Sequence, residues 1–209
     1  MPHRPQPPRI FLLSPAHCGG RRAALLLRNE ADFPLARRLR GTEGIPLGEA
    51  FSFVSGLYFR GKLAYASRFA RASGGSSGVE VITANRGLVA ADTRVRLEDL
   101  RAFGSVDIRS GDPLYRDPLA RDLARIAEHP TAELVLLGSV ATGKYVDLML
   151  EIVGERLWFP TEFIGRGDMS RGAMLLRAAR AGRELAYESA ASALGRLHAR
   201  TGRKARSTR

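Results

Sequence analysis

Residues 132–138, "AELVLLG", decide the fold. Four consecutive aliphatic side chains stand between a glutamate and a glycine, with no polar alternation. A strand covered on one face alternates, whereas a strand buried on both faces reads as an unbroken aliphatic run. The segment therefore predicts an interior strand of a sheet with helices on both sides. Working outward, "RIFLLSPA" (9–16) repeats the pattern, and "VEVITA" (79–84) and "RLWFP" (156–160) are shorter versions of it. Between these strands the period changes to that of a helix. Residues 21–40 read as two helical pieces meeting at Pro34. In 50–72, Leu57, Lys62/Leu63, Ala66 and Phe69 or Ala70 recur at helical spacing. Residues 96–103 and 118–129 are further helices. In 144–154, Val146, Met149/Leu150 and Val153 share one face, and Gly154 ends the helix. "GTEGIPLGE" (41–49) reads as a glycine-rich linker, "SGGSSG" (73–78) as a flexible loop and "RSGDPLY" (109–115) as a turn. Strands alternating with helices predict a three-layer α/β domain with a largely parallel central sheet and ligand loops at the carboxyl ends of its strands. We expect one such domain over 9–199, a disordered lead at 1–8 and a basic disordered tail at 200–209.

The chain has 209 residues, 44% of them apolar, which is enough for a real core. It has no apolar run of 18 residues, so no membrane partner is expected. Its one cysteine, Cys18, excludes an internal disulfide framework and fits a reducing, cytoplasmic setting. The four histidines and Cys18 show no metal-ligand spacing, so neither a metal nor a cofactor is expected. The formal charge of +12 favours a polyanionic partner such as nucleic acid. Six of those charges lie in "RLHARTGRKARSTR" (196–209), which leaves about +6 on the remainder.

Four glycine-rich or polar loops directly follow apolar strands: "SPAHCGGRR" (14–22), "TANRGL" (83–88), "GSVATGK" (138–144) and "FPTEFIGRGDMSRG" (159–172). The fold places all four along one sheet edge. "GSVATGKY" matches the spacing of a nucleotide-phosphate loop, but Tyr145 stands where Ser or Thr would ligate magnesium. Triphosphate hydrolysis is therefore not expected. Main-chain amides near the start of the following helix, with Lys144, remain able to hold a single phosphate.

"SGLYFRGKLAYASRFA" (55–70) followed by "VEVITANRGLVAADTRV" (79–95) resembles the YaaA-type peroxide-stress proteins and their small relatives. Leu57-Tyr58, Phe59 and Lys62 match that pattern, as do Ala84, Gly87-Leu88, Asp92 and Val95. Thr83, Asn85-Arg86 and Ala91 depart from it. The later "AELVLLGSVATGKYV" is similar to the strand and turn of uracil-DNA glycosylase relatives, without their Gly-Gln-Asp-Pro and His-Pro-Ser motifs. These resemblances imply an α/β fold that binds DNA or a nucleobase.

The candidate residues follow from the loops and from that reading. Glu162 and Asp168 are the carboxylates placed to steady a positive, sugar-like transition state or to orient water. Asp168 also suits the N-cap of the helix that follows it. Tyr58, Asn85 and Trp158 are candidates to hold a base. Lys62, Arg86, Lys144, Arg166 and Arg171 are candidates for phosphates. Cys18, near Arg21-Arg22 and a helix start, is either a nucleophile with a lowered pKa or a small loop residue. Two function classes stay open: a protein acting on an N-glycosidic bond, and a non-catalytic DNA-binding stress module. An enzyme of small nucleosides or nucleotides is a third.

Overall fold

The computed structural model describes residues 6–72, 77–108, 111–139 and 145–195. Strand β1 (Arg9–Leu13) lies at the centre, with Phe11, Leu12 and Leu13 fully buried. Parallel to it on one side runs β3 (Val79–Ile82), and on the other β6 (Glu133–Leu137) and then β7 (Leu157–Pro160). Two short strands, β4 (Leu88–Ala90) beside β3 and β8 (Tyr187–Ser189) beside β7, close the edges antiparallel. The order is β4-β3-β1-β6-β7-β8, a largely parallel six-stranded sheet flanked by helices. The four unalternating runs became the four parallel strands. The edge strands escaped the sequence reading because they are three residues long and only half-buried.

The chain leaves β1 towards β3 through α1 (Arg21–Leu27), α2 (Pro34–Arg40), α3 (Leu47–Ser55) and α4 (Leu57–Phe69). It returns across β1 to β6 through α5 (Leu97–Ser105) and α6 (Pro113–Ala127), and reaches β7 through α7 (Val146–Val153). Right-handed crossovers in opposite directions put these helices on opposite faces. The last long helix, α8 (Asp168–Ala181), packs on α4, and α6 packs on α7.

Several local expectations are corrected. The supposed linker at 41–49 holds the short strand β2 (Ile45–Pro46), paired with β5 (Arg94–Val95), and the start of α3. The helical stretch of 50–72 is two helices, broken at Gly56 (φ 65°). Only glycine enters that conformation freely, and a Cβ there would stand 2.6 Å from the Arg22 guanidinium. The buried face of α4 carries Tyr58, Phe59, Lys62, Tyr65 and Ala66, while Leu57, Leu63 and Phe69 are only half-buried. The face is rotated from the expected one because α4 is covered twice, by the sheet (Phe11 meets Tyr65 edge to face) and by α8. Helix α6 begins inside the expected turn, at Pro113, where the Asp112 side chain caps the Leu114 amide at 3.0 Å. Asp168 is the first residue of α8 rather than its cap, the N-cap being Gly167. Of the expected lead, Pro7 and Pro8 are tied down by carbonyl bonds from Arg71 and the Glu133 amide. Most of "SGGSSG", the start of "RSGDPLY", Lys144 and the tail at 200–209 lie outside the described residues.

Candidate functional site

In the sheet order, β1 is the point at which the chain reverses direction, and the crevice beyond the carboxyl ends of β1 and β6 is where such folds hold ligands. A cavity of about 680 Å³ opens there. The loop after β1 (Ser14–Gly19) forms one wall. Ala84 after β3 and Ser139 and Tyr145 after β6 form a second, and Phe51, Ser55, Tyr58 and Lys62 of α3 and α4 a third. The end of α5 with residues 103–108 and the first residue of α8, Asp168, complete it.

Burial sets the chemistry of Lys62 at this wall. Its side chain is fully buried, with Nζ donating to the Ser14 carbonyl at 2.5 Å and to Ser14 Oγ at 2.8 Å. The ammonium position lies over the Tyr58 ring at 4.6 Å and the Phe59 ring at 4.7 Å. Among the described residues it forms no salt bridge. Burial lowers its pKa to about 7, and the Asp168 carboxylate offsets part of that fall. Tyr145 folds back over Gly138 and Ser139, its hydroxyl accepting from the Ser139 amide at 2.9 Å. The Ser14 side chain is a hydrogen-bonding neighbour of the same phenol, and burial raises the Tyr145 pKa. Residues 140–144, the body of the expected phosphate-loop motif, lie outside the described residues. The Tyr58 hydroxyl is buried without a hydrogen bond of ordinary geometry. Burial raises its pKa too, with the nearby Arg171 guanidinium opposing the rise.

The structure therefore brings together Tyr58, Lys62 and Asp168 of the expected residues, with Arg171 beside them. Arg171 is held by the Phe163 carbonyl at 2.9 and 3.2 Å and lies over the Phe163 ring. Its guanidinium stands 3.8 Å from Asp168. The other candidates lie elsewhere. Asn85 donates to the Ala102 carbonyl at 3.1 Å, which ties the loop after β3 to α5, and its Oδ1 is buried without a partner. Arg86 pairs with Asp99 and covers the Phe103 ring. Trp158 is partly exposed on β7 between Val135 and Ser189. Glu162 is half-buried in a single turn after β7, where it accepts from the Thr161 hydroxyl at 3.0 Å. Arg166 is exposed, with a long 3.5 Å contact to Ser170. None of these five lines the cavity.

Cys18 does line it, but the thiolate reading is corrected. The side chain is buried beside the Ala16 carbonyl, and burial pushes its pKa up to about 11, so it is a thiol at neutral pH. The sequence reading missed Ser14 and passed over Tyr145 except as a defect in a motif. One signal points to Lys62 as distinctive: only three of the chain's 33 basic residues are lysines (Lys62, Lys144, Lys204). A cation that must shed its charge inside a protein has to be lysine, because arginine does not. Among the described residues no His/Cys/Asp/Glu group has metal-binding geometry, and no helix is long and apolar enough to cross a membrane. No protein-family model, curated protein or solved structure matches the chain.

Proposed function

We propose that the protein binds a nucleobase-bearing ligand, DNA or a nucleotide, in the cavity beyond β1 and β6, and hydrolyses its N-glycosidic bond. The observation that carries this reading is one concave site at the switch point that joins aromatic walls, a buried phenol beside the Arg171 guanidinium and a carboxylate: Phe51, Phe103 and Tyr58 with Asp168. A flipped or free base stacks on rings of this kind and bonds to a phenol hydroxyl at the cavity wall. Asp168, which lines the cavity, steadies the positive charge that develops on the sugar as the base leaves. Arg171 positions Asp168, and arginines outside the cavity, Arg166 among them, take the phosphates. Glu162 has no role in this arrangement.

The +12 charge favours a second reading, a DNA-binding module without turnover. One experiment separates the two. Full-length protein is titrated with single- and double-stranded oligonucleotides at several salt concentrations, while free base is assayed in the same mixtures and with mononucleotides. The proposal expects affinity to fall about 10- to 1,000-fold between roughly 50 and 200 mM salt. It also expects base release that Asp168→Asn abolishes without changing the melting temperature. Salt-dependent binding with no base released from any substrate supports the binding module instead. Neither binding nor release would remove both.

A further inference from the structure

We propose that Lys62 is a covalent carbonyl site, its amine condensing with the open-chain aldehyde of a sugar held in the cavity. The geometry carries this. A neutral amine has two hydrogens and one lone pair, and here both hydrogens have fixed acceptors, the Ser14 carbonyl and Ser14 Oγ. Lys62 is among the residues that line the cavity, and a neutral amine that gives both hydrogens to Ser14 keeps its lone pair for a ligand carbon. A lysine whose task was to hold an anion would need its third N–H and its charge. Burial without a salt-bridge partner works against that charge, and the pKa near 7 leaves much of the amine neutral under ordinary conditions.

The step balances without a further reagent. The Nζ lone pair attacks the aldehyde carbon, and the carbonyl π electrons move to oxygen. One nitrogen proton passes to that oxygen, with Ser14 Oγ at 2.8 Å placed to relay it, giving a carbinolamine. The second nitrogen proton leaves with the hydroxyl as water, and a C=N bond replaces C=O. The nature of the sugar rests on the proposed function: cleavage of an N-glycosidic bond leaves a hemiacetal at C1′, whose open form is an aldehyde. The imine chemistry itself does not require that cleavage to occur here.

The test uses the full chain near pH 7.5 with 2-deoxyribose 5-phosphate and sodium cyanoborohydride, which reduces an imine to a stable secondary amine. In a parallel arm the sugar is replaced by an oligonucleotide bearing one abasic site. Intact mass and peptide mapping then locate the adduct. Three lysines and the N-terminus are the only amines, so the native protein supplies its own controls. The inference expects a single saturable adduct on Lys62, formed at least about tenfold faster than on Lys144 or Lys204. Guanidinium denaturation should remove that preference, a control that needs no folded variant. Lys62→Met should remove the adduct altogether. Equal labelling of the three lysines, or none at Lys62 in either arm, overturns the inference and leaves the base-release assay to judge the proposed function. Trapping of the free sugar but not of the oligonucleotide supports the carbonyl site and counts against DNA as its source.

Discussion

The two ends of β1 hold two buried cations treated in opposite ways. At the amino end, Arg9 is largely buried and fully paired: Nε meets Glu133 at 2.7 Å, a second nitrogen meets Glu184, and the guanidinium covers the Tyr187 ring. Arg71 shares Glu133 at 2.6 Å, and Tyr65 joins Tyr187 hydroxyl to hydroxyl at 2.6 Å. At the carboxyl end, Lys62 is more deeply buried and has a carbonyl and a hydroxyl for partners but no ion pair. One end neutralises its cation with carboxylates and keeps it charged. The other makes charge expensive and frees a proton near neutral pH. A saturated network rigidifies, whereas a perturbed titratable group in a cavity is poised to react.

The largest test of this contrast is Gly61→Val. A Cβ at Gly61 would stand 2.5 Å from the Gly172 carbonyl oxygen, so α4 and α8 could not keep their approach. We expect a loss of about 3 kcal/mol or more in urea unfolding. A loss under about 1 kcal/mol would mean that the cavity end tolerates movement between these helices and is not preorganised.

Glu133→Gln comes next, since it removes the carboxylate shared by Arg9 and Arg71. Breaking a fully buried pair costs about 3–5 kcal/mol, and Glu133 keeps nearly a third of its side chain in water, so about 1–3 kcal/mol is expected. An unchanged denaturation midpoint would show that the paired end contributes nothing, and the contrast would fail.

Lys62→Met sharpens the other end through pH. The folded amine has its pKa lowered to about 7, against 10.5 for an ordinary lysine. Below pH 7 both states are protonated, and the full burden of a buried charge falls on the fold. Between 7 and 10.5 the unfolded chain binds a proton that the folded one has released, so stability rises with pH. The parent should therefore gain on the Met variant by roughly 1 kcal/mol for each pH unit from 7 to 9. Melting curves of both proteins at pH 6, 7.5 and 9 check it, and parallel pH profiles would refute the lowered pKa.

Arg166→Ala has the smallest expected effect. The side chain is exposed with one 3.5 Å contact, so stability should stay within about 0.5 kcal/mol, while oligonucleotide affinity should fall about two- to tenfold through the lost phosphate contact. An unchanged affinity would remove Arg166 from the phosphate contacts.

Strand type was legible because burial on both faces leaves an aliphatic run, and turn residues bound each of these runs, whereas the aliphatic run of Ala23–Leu27 belongs to α1. Residues 134–137 and 11–13 could be assigned without any neighbour in view. The carboxyl-edge placement of the loops followed from strand–helix alternation, which put Asp168 within reach, whereas Tyr58 and Lys62, on α4, were singled out by the resemblance. Asn85, Arg86, Glu162 and Arg166 were equally plausible, because a loop residue after a strand has the same local signature whether it turns into the crevice or away from it. Asn85 turned towards α5 and Arg86 towards Asp99, and neither partner is near in sequence.

By itself, then, the amino-acid sequence determined the layered α/β class, the four parallel strands, the basic balance and the edge along which the loops gather. These depend on local period and composition. Tertiary structure alone decided that Lys62 spends its two hydrogens on Ser14, 48 positions away, that Tyr145 turns back onto the Ser139 amide, and that Cys18 is a buried thiol. It also set Asp168 against the cavity by bringing α8 onto α4 at Gly61 and Gly172. The physical reason is that protonation and reactivity are set by solvent exclusion and by the few groups within about 4–6 Å, and those neighbours come from segments that meet only when the sheet is assembled.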